Sequence, residues 1–357
     1  MTTDSVLLAT NPGKIVPLKQ IWSGRCPVPT ASGIALKLGW LAEEFARDAI
    51  AVSDTHDRPQ QSRGSANTPH ALHGLLREGG NIPVLAARAQ GEPSRLIGLT
   101  WIDEGQAIIV RPGSGITEPK HLKGKRVALP AFGQDANGRR GSSIARGMTL
   151  HGIKGALSLA GLTFDDIKFL EVGSGDTASS EFGLQGLWAG LDHLADGKVD
   201  AVYVKGSSAA DAVKRLGLTV GIDIDHFPDR RFRINNGTPR PLTVHAELLE
   251  EHFDVVVRFL YQSLRAAEWA KTNLNRVLEI YQSETRGSAE GVAAAYRDGF
   301  HLSLHPNLSD ERLGYFRTQK DFLFLHGFLD RDFDLDAWVD FRPLEAAQKL
   351  LAERGSV

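Results

Sequence analysis

From Ile15 to Ile224, short apolar runs alternate with helix-period segments, and glycine or proline separates one from the next. That alternation constrains the chain more than any other feature, because repeated strand–helix–strand order implies parallel sheets with helices covering their faces. "IVPLKQIWSG" reads as a first strand. A helix follows, capped at Thr30 or Ser32, with Ile34, Leu36, Leu38, Leu41, Ala42 and Phe45 on one stripe. "AIAVSD" is a second strand. "TPHALHGLLREGG" has the pattern of a short helix closed by Gly79 and Gly80. "IPVLAARA", "RLIGLTWIDEG" and "QAIIVRP" read as strands, the last two in hairpin order.

Further strands are expected at Arg126–Leu129, in "IKFLEV" and at Val199–Val204. Helices are expected in "GSSIARGMTLHGIKGALSLAGL", before Asp196 and in "SAADAVKRLG". From Thr243 to Leu351 the pattern is mostly helical. Breaks near Pro112–Pro119 and in "NNGTPRPLTV" mark two crossings. They divide the chain into lobe I, residues 1–112 plus 236–357, and an inserted lobe II, residues 113–235. The expected fold is α/β: a two-lobed clamp, each lobe a mostly parallel sheet flanked by helices. Such clamps hold small ligands in the cleft between lobes.

The net charge of −2 gives no support for a nucleic-acid or anionic-membrane partner, both of which favour basic surfaces. No run approaches the ~18 apolar residues of a membrane span. Asp4 and the Asn11-Pro12-Gly13 break interrupt the N-terminal apolar run, so no secretory signal is read and a cytoplasmic location is expected. Cys26 is the only cysteine, which excludes an intrachain disulfide, and no zinc-type ligand spacing occurs. There is no P-loop and no nucleophile elbow, and no glycine pattern after a strand points to a dinucleotide.

Four features could carry chemistry. Cys26 follows a strand, beside Arg25 and shortly before a helix, where a thiol is readily ionised. A lone cysteine is also common as inert packing, and the residues alone support both readings. Arg77 with Gly79 and Gly80 could hold an oxyanion, or be a helix end with a surface arginine. His56, His70 and His73 could supply a base, or lie in an exposed polar loop. Ser142 and Ser143 could cap a helix that binds an anion with help from Arg146, or form an ordinary cap.

"CPVPTASGIALKLGWL", "REGGNIPVL", "RLIGLTWIDEGQAIIVRPGSGI", "LKGKRVALPA" and "SSIARGMTLHG" together resemble the aryl sulfinate desulfinases. That family shares its fold with the type II substrate-binding proteins of nitrate, sulfonate and taurine ABC transporters. The resemblance implies a cofactor-free hydrolase that cleaves the carbon–sulfur bond of an aromatic sulfinate and releases sulfite. It implies that Cys26 acts at the sulfinate, and that Arg77 and an amide of Gly79–Gly80 hold the sulfinate oxygens. Ser142, Ser143 and Arg146 are expected to add to substrate binding through the helix start they mark. The family histidine falls ten residues before the arginine, where this chain has Asn67; His70 is the nearest substitute. The alternative is a non-enzymatic binding protein for a sulfonate, sulfinate or nitrate-type anion, with an ABC permease as its partner. Trp22, Trp40, Trp101 and Trp188 are available for an aromatic pocket.

Overall fold

The computed structural model describes residues 17–25, 30–55, 72–132, 143–173, 188 and 190–355. Its strands are β1 (Gln20–Arg25), β2 (Ala51–Asp54), β3 (Leu75–Glu78), β4 (Ser94–Thr100), β5 (Ala107–Val110), β6 (Arg126–Pro130), β7 (Lys168–Val172), β8 (Val202–Val204), β9 (Thr219–Asp223) and β10 (Arg240–His245). Strands β2-β1-β3-β10-β4 form one sheet. Strands β8-β5-β9 form a second, and the β6–β7 pair is joined to its edge by a bridge between Val127 and Ala201.

Each sheet is mixed. β1 runs parallel to β2 and β3, and β6 runs parallel to β7. β10 is antiparallel to β3 and β4, and β5 is antiparallel to β8 and β9. The antiparallel members β5 and β10 are the strands that arrive from the other sheet. They enter without a helical crossover, and only such a crossover imposes parallel direction.

β4 and β5 therefore do not form the expected hairpin. They sit in different sheets, and Trp101–Gln106 between them is the first crossing. β5 lies before residue 112 yet pairs within the second sheet.

The twelve helices among the described residues begin with α1 (Ala31–Lys37), α2 (Trp40–Ala46) and α3 (Asn81–Ala89). α4 (Ile144–Ser158), α5 (Gly190–Ala195) and α6 (Ser207–Arg215) flank the second sheet. Then come α7 (Ala246–Glu251), α8 (Phe253–Ala270), α9 (Leu274–Thr285), α10 (Ala289–Ala295), α11 (Asp310–Leu325) and α12 (Arg342–Arg354). Thr30 caps α1 by accepting from the Gly33 amide at 3.0 Å. The stripe from Ile34 to Phe45 is split into two helices because Gly39 sits at φ 81°, a left-handed conformation that glycine adopts without penalty. α8 packs against both α1 and α12, which seals one face of the first sheet.

Two expectations exchange places around Gly79–Gly80. "LLRE" is strand, not helix, because Leu75 and Leu76 are both buried and pair with β1 and β10 on either side. "NIPVLAARA" is helix, not strand. Its alanines favour helix, and Pro83 falls in the first turn, where no amide donor is missed. A short apolar run carries no period of its own, so pairing partners decide.

Three buried charges lock the two crossings together. Glu104 accepts hydrogen bonds from Arg240 and from Lys205, the latter at 3.1 Å. Burial opposes ionisation of Glu104, but Lys205 and Arg240 outweigh it and hold its carboxyl below the usual value. Replacing Glu104 by Ala leaves two cations buried without a counter-charge, so stability is expected to fall by about 3–5 kcal/mol in urea denaturation.

Candidate functional site

β1 and β3 are adjacent and parallel, but the chain leaves them toward opposite sides of the sheet. After β1 it passes through α1 and α2 to β2 at the edge; after β3 it enters α3 on the way to β4. Such a switch point opens a crevice beyond the carboxyl ends of the two strands. Cys26 follows β1 directly in sequence, and Gly79–Gly80 follow β3.

The rim of this crevice is held by a buried carboxylate. Glu78, 1 % exposed, accepts from the Ser32 hydroxyl at 2.6 Å and the Ser32 amide at 3.2 Å. Its other oxygen accepts from Thr100 at 2.8 Å. The first turn of α1 is thereby tied to the end of β3. Arg25 does not act as a spare cation for its neighbour. Its guanidinium is buried and paired with Asp54 at 2.8 Å and Glu284 at 2.9 Å.

Arg77 lies in β3 between Gly24 of β1 and Thr243 of β10. Its guanidinium turns back over the following dipeptide and donates to the Gly80 carbonyl at 3.1 Å. The two glycines provide space. A Cβ on Gly79 would stand 2.7–2.9 Å from the Arg77 guanidinium, and one on Gly80 would stand 2.6–2.9 Å from the Asn236 carboxamide. The Gly79 amide is already engaged, donating to the Pro241 carbonyl at 3.3 Å.

The start of α3 is capped from a distant part of the chain. The Asn81 amide donates to the Asn236 carbonyl at 2.8 Å, and the Ile82 amide donates to Asn236 Oδ1 at 2.9 Å. Asn81 continues the connection, its Nδ2 donating to the carbonyls of Asn235 at 2.7 Å and Pro239 at 2.9 Å. Its Oδ1 accepts from Gln319 Nε2 at 2.8 Å, and Gln319 Oε1 accepts from His151 Nδ1. The acceptor role of that oxygen places the His151 proton on Nδ1. A polarised chain thus runs from α4 through α11 to α3 and the second crossing.

The lobes also meet through apolar contact. Gly147 of α4 faces Ile82 so closely that a Cβ would stand 2.9 Å from the isoleucine methyl, and Phe132 stacks on Phe328 at 5.5 Å. Ser143 stands at the α4 N-terminus, buried, but its side chain does not cap the helix. Arg146 is committed within its own lobe, donating to Glu171 at 2.5 Å and the Pro130 carbonyl at 2.8 Å. That pairing neutralises the positive charge expected to reach a ligand. Cys26, His70, Asn67 and Ser142, with His56, lie outside the described residues. Trp101 is buried against Tyr315, and Trp40 packs edge-on against Trp269 on the α2–α8 side. Among the described residues no cluster of three histidine, cysteine or carboxylate groups could hold a metal ion. No helix among them is long and apolar enough to cross a membrane.

Sequence reasoning missed Glu78, Asn81, Asn236 and Gln319. The only available signals were an acidic residue between buried leucines and a glycine pair, and two asparagines in a proline-rich crossing.

A family model described as "NMT1/THI5 like" matches residues 80–274. The chain is 25% identical over 345 residues to a 2'-hydroxybiphenyl-2-sulfinate desulfinase of Rhodococcus erythropolis, covering 88% of this chain and 89% of the relative. It is also 25% identical over 313 residues to a putative aliphatic sulfonates-binding protein of Bacillus subtilis (strain 168), covering 86% and 81%. Among solved structures, a cysteine-to-serine mutant of DSZB in complex with biphenyl-2-sulfinic acid superimposes with a TM-score of 0.71. Identity there is 21%, with 93% of this chain and 99% of that one covered. The periplasmic aliphatic sulphonate binding protein SsuA of Escherichia coli gives 0.64 at 16% identity, covering 90% and 92%. The fold is therefore the expected two-lobed type II clamp.

His151 provides a pH test of the inter-lobe chain. Burial drives its imidazole from 6.5 down to about 3, against the favourable bond it donates to Gln319. An imidazole depressed in the folded state takes up its proton on unfolding, so its contribution is whole above about pH 6.5 and lost as pH falls toward about 3. Thermal melts across that window are expected to show the loss, and His151→Asn to flatten it.

Proposed function

The chain belongs to the NMT1/THI5-like family, whose model spans more than half of it. On that premise we propose that it binds an organic sulfinate at the β1–β3 switch point and hydrolyses its carbon–sulfur bond. The observation that carries this reading is the placing of Arg77 and the Gly79–Gly80 turn beside the strand that runs directly into Cys26. A cation at the crevice, with a thiol next in sequence after β1, suits an anion whose sulfur is to be released. Similarity to a desulfinase along most of both chains supports it.

The reaction balances without an electron acceptor. A sulfinate anion and water give the arene and hydrogen sulfite: the carbon–sulfur bond breaks, hydrogen goes to carbon and hydroxyl to sulfur. In this reading Arg77 holds the sulfinate oxygens, Cys26 supplies the thiol, and His70 or Asn67 orients it. His70 can take a proton near neutral pH; an asparagine can only hydrogen-bond.

Incubation with biphenyl-2-sulfinate and assay of released sulfite test the proposal. Cys26→Ser is expected to lower sulfite release by ~10³-fold or more while ligand-induced thermal stabilisation persists. Sulfite release unchanged in that variant would remove the cysteine from the reaction. Gly79→Ala is expected to melt near the parent temperature, because the added methyl meets only the mobile end of Arg77. It is expected to weaken sulfinate binding about tenfold by displacing that guanidinium.

The similarity to a sulfonates-binding protein and the asparagine at position 67 favour a second reading, a solute-binding protein that delivers its anion to an ABC permease. Stabilisation by sulfonates or sulfinates with no sulfite from the parent protein would select it.

A further inference from the structure

Asn235 and Asn236 are neighbours in the second crossing, yet their side chains are used very differently. Asn235 is saturated and fully buried. Its Nδ2 donates to the Met148 carbonyl at 3.0 Å and the Tyr203 hydroxyl at 2.8 Å, and its Oδ1 accepts from the Asn236 amide at 2.6 Å. Asn236 is half-buried. Its Oδ1 accepts from the Ile82 amide, and its Nδ2 donates to nothing among the described residues. The orientation of the carboxamide is decided by chemistry: the Ile82 N–H must face an oxygen, so the nitrogen takes the other side.

That nitrogen lies 2.6 Å from the Cβ position that Gly80 leaves empty, while the Arg77 guanidinium occupies the matching space over Gly79 and bonds the Gly80 carbonyl. Two donors, one cationic and one neutral, therefore flank a single dipeptide at the switch-point crevice. The two leading amides of α3 cannot serve an anion, because Asn236 already accepts from both. The positive end of that helix is relayed through the carboxamide, with its oxygen toward the helix and its N–H groups away from it.

We propose that Asn236 is an anion-binding residue, donating from Nδ2 to an oxygen of the sulfinate or sulfonate group whose charge Arg77 balances. This inference rests on the reading that the β1–β3 crevice takes such an anion. It assigns to the second crossing a direct contact with the ligand. Asn235 anchors that crossing to α4 and β8 of the other lobe, so the donor is held in register with both walls of the clamp.

The test is calorimetric titration of the full chain with biphenyl-2-sulfinate, with melting temperatures of the unliganded proteins recorded in parallel. Asn236→Asp retains an oxygen for the Ile82 amide and replaces the donor by an anionic acceptor. It is expected to melt close to the parent and to bind at least tenfold more weakly. The deficit is expected to shrink as pH is lowered toward ~4, where the new carboxyl protonates. Asn236→Ser, which removes the carboxamide and adds no charge, is expected to lose about tenfold without that pH dependence. Affinity within twofold of the parent in a folded Asn236→Asp or Asn236→Ser protein overturns the assignment and leaves the sulfinate site standing. A parent protein that binds neither biphenyl-2-sulfinate nor an alkanesulfonate overturns the site itself, and the assignment with it.

Discussion

The parallel pairing of β1 with β3 is the constraint on which the rest of this protein depends. Two strands lie side by side while their continuations leave in opposite directions, so nothing of the sheet itself fills the space above their ends. Gly79–Gly80 are brought to that space by the pairing register, and Cys26 follows β1 directly in the sequence. Glu78 makes the arrangement rigid by tying α1 to β3 and β4 through Ser32 and Thr100. A buried carboxylate with three donors is costly to disturb, since any donor lost leaves charge without compensation.

A second level of organisation joins the lobes. The polar chain from His151 through Gln319 to Asn81 is saturated and unidirectional, and it ends on the carbonyls of the second crossing. Glu104 performs the corresponding role for the first crossing by pairing with Arg240 and Lys205. Both devices are polar, buried and non-local. They specify relative position better than apolar packing does, because a hydrogen bond fails within a fraction of an ångström while a hydrophobic contact slides. The apolar contact of Gly147 with Ile82 adds close approach without such direction.

Much of the architecture was legible in the chain. The strands at Gln20–Arg25, Arg126–Pro130 and Lys168–Val172 follow from apolar runs bounded by turn residues, and the Thr30 cap follows from its side chain. The errors fell where a short run has no period of its own. "LLRE" and "NIPVLAARA" exchanged identities, because pairing with β1 and β10 decides the first and alanine content the second. The hairpin between β4 and β5 failed for a related reason: adjacency in sequence does not reveal that a chain crosses between sheets. Within the site, Arg77 and its glycines were legible as a group. Their arrangement was not, since the glycines make room for side chains from positions 77 and 236.

The sequence by itself determined the alternating α/β order and the residue types able to meet an oxyanion. Those are local properties of composition, period and turn chemistry. Only the tertiary structure decided which charges remain for a ligand. Arg25 and Arg146, cations in the sequence, are consumed by carboxylates from Asp54, Glu284 and Glu171. Asn236, read as part of a crossing, caps the start of α3 with its oxygen and turns its amide nitrogen toward Gly80. Charge and hydrogen-bonding capacity are read from a residue's type, but their availability depends on partners distant in sequence, and only folding brings those partners within reach.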